Sequence, residues 1–311
     1  MANFALAVHG GAGTIRKTET TLDQEEEYRR SILAALETGR KILAGGGTAL
    51  DAVEACVVVL EDDPLFNAGR GSVFTHEGKI EMDAAIMDGK RLKAGAIAAV
   101  RNVKNPIRLA RKVMEESPHI FLLGDGADRF AEEVGVDLCD STYFFTERRW
   151  NELENAIAAG KVKLDHSPLD PRVGSKPLGT VGAVALDSSG CLAAATSTGG
   201  MTNKKFGRVG DTPIIGAGTY ADDLSAVSCT GHGEFFILGV AAYDVSAQMR
   251  YKNETLAAAT AKTIGRIGQI GGEGGLIAVD SKGNIAMPFN SEGMYRGYVT
   301  SAEAPVALIY C

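Results

Sequence analysis

The chain lacks a cysteine framework. Its five cysteines (Cys56, Cys139, Cys191, Cys229 and Cys311) are odd in number, widely spread and free of any CxxC pair. A disulfide scaffold or a zinc ribbon is therefore not expected, and a reducing compartment is. No apolar run approaches the roughly 20 residues that span a bilayer. The short run Phe4 to Val8 has no positive charge before it, so it reads as a first strand rather than a signal peptide. The expected location is cytoplasmic. Basic blocks are missing too. The net charge is −7 with acids and bases interspersed, so neither nucleic acid nor a membrane is an expected partner.

Several catalytic signatures are also missing. There is no GxSxG elbow. The five histidines (His9, His76, His119, His166 and His232) are scattered. His9-Gly10-Gly11-Ala12-Gly13 follows a strand like a phosphate loop, but it lacks the third glycine of GxGxxG and no helix follows directly. Asp62 and Asp63 are neighbouring acids without EF-hand spacing. No redox cofactor or catalytic metal is expected.

What the chain does have is bulk and glycine. With 311 residues, 45% of them hydrophobic, it can bury a large core, and its 38 glycines sit in short motifs. Apolar positions at Tyr28, Ile32, Leu36 and Leu43 predict an amphipathic helix over 24–44, ended by Gly45-Gly46-Gly47. Thr48 and Asp51 resemble a capping box opening a second helix with Leu50, Val53, Val57 and Leu60. Strands are predicted near 72–75, 79–87 and 94–101, and helices from Pro106, over 125–135 and over 146–160. From 161 to 179 the pattern lapses around Pro168, Pro171 and Pro177, the best linker candidate. Strands resume at 180–187, 191–198, 213–217 and 225–229. Helices follow at 233–250 and 254–267, then strands near 275–280, 284–288 and 304–310. Strands come in groups and helices in pairs, and several strands are apolar at nearly every position. Strands of that kind are buried on both faces. The α+β arrangement that satisfies this is a four-layer αββα sandwich in a single domain, 1–311.

The most informative feature is Gly179-Thr180, where a polar stretch meets a buried strand. Thr180–Asp187 and Cys191–Thr198 are separated by Ser188-Ser189-Gly190, a hairpin loop with glycine where a left-handed residue is wanted. A hairpin symmetric about Ser189 places Asp187 opposite Cys191 and Thr180 opposite Thr198. Directly opposed residues share a face with Cβ atoms about 4.5–5.5 Å apart, so the two hydroxyls can interact. Threonine is also common in ordinary strands. The linker, the small Gly179 and the second threonine at the matching end set this one apart.

A threonine hydroxyl needs a base to act as a nucleophile. An N-terminal threonine carries one, because an α-amine has a reference pKa of about 7.7–8.0. The same hydroxyl could attack the carbonyl of Gly179, where no Cβ blocks the approach. Acyl shift and ester hydrolysis would then free the Thr180 amine. Gly207-Arg208-Val209-Gly210-Asp211 offers a bidentate donor for a carboxylate and an acid for an ammonium, the two ends of an amino-acid head group. A surface loop with an exposed ion pair has the same composition. Thr230-Gly231-His232-Gly233-Glu234 can supply a hydroxyl and backbone N–H groups to an oxyanion, or it can simply turn the chain into the next helix.

Taken together, these blocks resemble the plant-type asparaginases and isoaspartyl peptidases of the N-terminal-nucleophile hydrolases. The likeness covers nearly the whole chain. It rests on Val8-His9-Gly10-Gly11-Ala12-Gly13, Asp63-Pro64-Leu65-Phe66-Asn67-Ala68-Gly69, Met82-Asp83-Ala84 through Met87-Asp88-Gly89, Gly179-Thr180-Val181-Gly182, Thr196-Ser197-Thr198-Gly199-Gly200, Gly207-Arg208-Val209-Gly210-Asp211 and Thr230-Gly231-His232-Gly233-Glu234. The resemblance implies self-cleavage into an α subunit, 1–179, and a β subunit, 180–311, and an (αβ)2 assembly. It implies hydrolysis of L-asparagine and β-aspartyl dipeptides, with release of L-aspartate.

By the same resemblance, Thr180 is nucleophile and base, and Thr198 tunes it. Thr230 and Gly231 form the oxyanion hole. Arg208 binds the substrate carboxylate and Asp211 its amine, while Asn67 supports the site. The loop from Leu60 to Arg70 resembles a sodium loop, with backbone carbonyls of Leu60, Glu61, Asp63, Phe66, Ala68 and Arg70 as candidate ligands of a structural Na⁺. A second alkali site near Val113–His119, present in some relatives, is not expected here. A glycosylasparaginase fits less well, since its nucleophile follows an aspartate. A non-catalytic amino-acid- or nucleotide-binding protein is the alternative of another class.

Overall fold

In the computed structural model the described residues are 3–18, 20–160 and 179–311. The linker expected over 161–179 therefore lies outside them, apart from Gly179. The chain opens with β1 (Ala5–Gly13), α1 (Leu22–Ala44) and α2 (Ala49–Asp62), then a short 3-10 turn at Gly69–Gly71. Next come β2 (Met82–Asp88), β3 (Lys93–Val100), α3 (Pro106–Glu116), β4 (Phe121–Leu123), α4 (Gly124–Glu133), α5 (Ser141–Phe144) and α6 (Glu147–Ala158). The second half has β5 (Val181–Leu186), β6 (Leu192–Thr198), β7 (Thr219–Ala221), β8 (Ser225–Gly231), α7 (Gly233–Gly239), α8 (Ala241–Lys252) and α9 (Leu256–Gln269). It closes with β9 (Gly274–Asp280), β10 (Ile285–Ala286), β11 (Gly293–Thr300) and β12 (Val306–Leu308).

Among the described residues these strands form two sheets. The larger runs β12-β11-β1-β5-β6-β2-β3-β4 and the smaller β10-β9-β8-β7. Pairing is antiparallel except between β3 and β4. Alternation along the strands builds three apolar layers. Leu6, Val8, Ala183 and Ala185 face outward onto α2 residues such as Val53 and Val57. Their neighbours Ala5, Ala7, Val184 and Leu186 face inward onto Ala226, Ile277 and Val279 of the smaller sheet. Val227, Cys229, Leu276 and Ala278 then meet Val245, Ala259 and Ile264 of α8 and α9. This is the αββα sandwich, and it explains why these strands are apolar at both phases. Each fully buried Val, Leu or Ile in these layers contributes about 1.5–3 kcal/mol.

Residues 72–75 make only isolated bridges, at Phe74 and Thr75, and β11 had no predicted counterpart. Three further expectations need correction. His9–Gly13 is not a loop after the first strand but its continuation, running to Gly13 with an irregular register between His9 and Gly11. Residues 213–217 do not form a strand; the strand is β7, from Thr219. The helix expected over 233–250 is broken at Val240, which is left-handed at φ 47° and ψ 47°. These last two share a cause. The amides of Ala242 and Tyr243, in the first turn of α8, donate to the carbonyls of Ala217 and Gly216 at 3.0 and 2.8 Å. The 213–217 carbonyls are thus used to cap a helix, and α8 must start afresh to reach them.

Candidate active site

The hairpin pairs as its sequence predicts. Val181 faces Ser197 and Leu186 faces Leu192, so the register is symmetric about Ser189. Continued one step, it sets Thr180 against Thr198, and the Thr180 hydroxyl donates to Thr198 Oγ1 at 3.1 Å. Thr198 Oγ1 also accepts from the Gly200 amide at 3.0 Å. The pleat sends Thr180, Thr196 and Thr198 to the inter-sheet side. Ser197 points the other way, where its hydroxyl donates to buried Glu61 at 2.6 Å.

Asn67 holds the turn that follows Thr198. Its carbonyl accepts from the Gly199 amide at 3.0 Å, and its side chain donates to the Gly200 carbonyl at 2.7 Å. Asn67 Oδ1 accepts from the Val73 amide at 3.0 Å. A cleft opens over this turn, lined by Asn67, Gly179, Thr180, Thr198, Arg208, Asp211 and Gly231 among others. The structure therefore gathers Gly179, the threonine pair, Arg208 and Asp211 around one space. Thr230 sits beside Gly231 at the end of β8, fully buried. Its hydroxyl has no hydrogen-bond partner among the described residues. Gly231 has φ +138°, and a Cβ there would lie 2.3 Å from the Glu273 carbonyl. Only glycine is comfortable at that approach.

Arg208 and Asp211 are close but not equivalent. A Cβ on Gly233 would meet Asp211 Oδ1 at 2.8 Å and Arg208 Nη2 at 2.9 Å, so that glycine lets them sit side by side. Asp211 Oδ2 is buried without a partner among the described residues. Burial pushes its carboxyl up to about 7, against the pull of the Arg208 guanidinium. Such a carboxylate is incomplete until a cation arrives. Arg208 is already oriented: its Nε and Nη2 both bind Glu234, at 2.9 Å each. Burial would raise the Glu234 carboxyl, but the guanidinium outweighs it and holds it below its ordinary value. Sequence reasoning missed Glu234 in this role. Its signal was present, since the acid sits in the first turn of α7 two residues after His232.

The loop after α2 was the other expected site. A Cβ on Gly71 would meet the carbonyls of Phe66 at 2.0 Å and Pro64 at 2.8 Å, and one on Gly69 would meet the Glu61 carbonyl at 2.4 Å. Carbonyls of Glu61, Pro64 and Phe66 thus pack closely against Gly69 and Gly71, while the candidate carbonyls of Asp63 and Ala68 already accept from the Phe66 and Gly71 amides at 3.3 and 3.1 Å; backbone oxygens are the hard donors an alkali cation takes. The Glu61 side chain joins this loop to β6. It accepts from Ser197 and from the Ile107 amide at 3.0 Å, and burial pushes its carboxyl up to about 8.

Among the described residues no helix is long and apolar enough to cross a membrane. A family model described as asparaginase matches residues 2–309. The chain is 49% identical to an isoaspartyl peptidase of Escherichia coli over 314 aligned positions, covering 100% of this chain and 97% of the relative. It is 47% identical to an isoaspartyl peptidase/L-asparaginase of Bos taurus (94% and 92% covered). It is 45% identical to a plant-type L-asparaginase of Pyrococcus abyssi (93% and 94% covered). Matched by that model over nearly its whole length and by relatives at 45–49% identity, the chain belongs to the asparaginase family that includes the isoaspartyl peptidases.

Proposed function

We propose that this chain cuts itself between Gly179 and Thr180 and then hydrolyses β-aspartyl dipeptides and L-asparagine, releasing L-aspartate. The carrying observation is the Thr180–Thr198 hydroxyl pair at 3.1 Å, opening onto the cleft that holds Arg208 and Asp211. In maturation, Thr180 Oγ1 attacks the Gly179 carbonyl, the C–N bond breaks and the nitrogen takes the proton. Water then hydrolyses the ester, leaving a Gly179 carboxylate and a free Thr180 amine.

In turnover, that amine takes the hydroxyl proton as Oγ1 attacks the substrate side-chain carbonyl. Thr230 and Gly231 receive the developing oxyanion. The amine passes its proton to the leaving nitrogen, and water releases aspartate from the β-aspartyl ester. Asp211 pairs with the substrate ammonium. Arg208 meets the α-carboxylate with the guanidinium nitrogen that Glu234 leaves free. A structural Na⁺ would be held by the Leu60–Arg70 loop, on the carbonyls of Leu60, Glu61, Asp63, Phe66, Ala68 and Arg70, and would stiffen the loop that carries Asn67. A cytoplasmic (αβ)2 assembly completes the reading.

Intact mass tests it. The purified protein should resolve into two pieces dividing at Gly179/Thr180, while Thr180→Ala should stay a single inactive 32.6 kDa chain. A wild type that never divides, or a Thr180→Ala protein that divides and turns over, would defeat the assignment.

A further inference from the structure

The ladder between β1 and β5 stops at the His9–Gly182 pair. Beyond it β1 changes register, so the Thr180 carbonyl lies past the last rung. The His9 side chain takes that place: its Nδ1 lies 2.9 Å from the Thr180 carbonyl oxygen. A carbonyl only accepts, so Nδ1 carries the proton. The neutral ring then accepts at Nε2, where Ser228 Oγ lies at 2.8 Å. Ser228 uses its single proton there and accepts from Thr196 Oγ1 at 2.7 Å. Thr196 in turn accepts from Thr219 Oγ1 at 2.7 Å. All four side chains are fully buried. Burial keeps the imidazole neutral by lowering its pKa to about 3, with the Thr180 contact acting the other way.

With one proton per hydroxyl, counting back from the Thr180 carbonyl gives the order Thr219 to Thr196 to Ser228 to His9 to Thr180, so the Thr212 and Gly218 carbonyls that Thr219 and Thr196 also approach, at 3.1 and 3.4 Å, go without those protons. This hydrogen-bond chain zigzags between the sheets, with Thr219 and Ser228 on the smaller and Thr196 and His9 on the larger. Gly182 makes room for it, since a Cβ there would lie 2.0 Å from Ser228 Oγ and 2.5 Å from His9 Nε2. The side chains of His9, Ser228, Thr196 and Thr219 are not among those lining the cleft.

We propose that His9 is a positioning residue for Thr180, locked in its Nδ1–H form by the hydroxyl chain between the two sheets. The proposal rests on Thr180 being the nucleophile. Once the bond to Gly179 is cut, Thr180 becomes a chain terminus, and termini fray unless tied down. Thr198 restrains its hydroxyl. His9 restrains its carbonyl, which fixes the orientation of Cα and hence of the amine that must reach the hydroxyl proton. Free imidazole favours the Nε2–H tautomer, so a donor at Nε2 is what selects the form that can hold Thr180.

The test uses the matured protein and its variants His9→Ala, His9→Asn and Ser228→Ala, with β-aspartyl dipeptide as substrate. In the wild type, ¹⁵N NMR of the His9 ring should show Nδ1 protonated and Nε2 bare from about pH 5 to 8. Ser228→Ala should mix the tautomers and lower kcat about tenfold, with KM within about twofold, as expected for one lost hydrogen bond. His9→Ala should lose at least as much. His9→Asn, whose amide places an N–H near the Nδ1 position, should recover most of kcat. Should His9→Ala fail to fold, the tautomer and the Ser228→Ala kinetics decide the matter. An Nε2–H ring in the wild type, or unchanged kcat in Ser228→Ala, would overturn the proposal. A wild type that neither divides nor hydrolyses would instead remove the functional reading beneath it.

Discussion

Replacing Asp211 with asparagine should weaken the enzyme and strengthen the fold. The carboxyl is only 4% exposed, and one oxygen has no partner among the described residues. Burial raises its pKa from 3.8 to about 7, with Arg208 acting in the opposite direction. A raised carboxylate costs the fold nothing below the unfolded value. The cost grows as pH climbs from about 4 and levels off above about 7. At 1.36 kcal/mol per tenfold it reaches about 4 kcal/mol by pH 8. Asparagine carries no charge, but its unpaired amide keeps a cost of about 1–3 kcal/mol. The variant should therefore gain about 1–3 kcal/mol over the wild type at pH 8, and at pH 4 any gain should vanish. Melting temperatures at the two pH values measure this. Loss of the contact to a substrate ammonium should lower kcat/KM about 10- to 150-fold, the range for a hydrogen bond to a charged group. Two groups shape the acid side of the wild-type kcat/KM, the Thr180 amine, with a reference value of about 7.7–8.0, and Asp211 at about 7, so the variant should keep the amine limb and lose only the second proton. Equal destabilisation at both pH values, or kcat/KM within twofold of wild type, would refute the reasoning.

Two further outcomes follow from the geometry. Thr198→Val keeps the shape of the strand end but removes the acceptor of the Thr180 hydroxyl; kcat should drop about 10- to 100-fold with KM nearly constant, and steady-state kinetics will show whether the loss is instead in KM. Melting in NaCl against choline chloride tests the loop after α2: salt at ten to a hundred times Kd should add about 1.4–2.7 kcal/mol, and Gly71→Ala, whose Cβ would meet the Phe66 carbonyl at 2.0 Å, should abolish the difference.

The hairpin register was legible because a tight glycine loop and two strands of equal length leave one symmetric pairing, and Val181–Ser197 obeys it. The sandwich was legible because strands apolar at both phases need a layer on each side. The break at Val240 was not legible, since its cause is a turn 23 residues earlier whose carbonyls accept from α8. Nothing local in Phe235–Tyr243 announces that partner. His9 was legible only as part of a glycine run that resembles a phosphate loop. Its ring contacts Ser228, which lies 219 residues away. The head-group residues Arg208 and Asp211 were readable as a pair, but Glu234, which orients the arginine, needs the fold to come near it.

The alanines between the sheets carry a consequence for how this enzyme can drift. Ala5, Ala7, Ala194 and Ala226 are nearly the smallest side chains that can separate two sheets, and they act as shims. The larger sheet carries Thr180 and Thr198, while the smaller carries Thr230 and Gly231. The gauge of the catalytic centre is thus set by spacers far from the chemistry. A bulkier residue at one of them could pack acceptably and still pry Thr180 and Thr198 from Thr230 and Gly231. Selection on turnover, rather than on folding, is what should keep that layer thin.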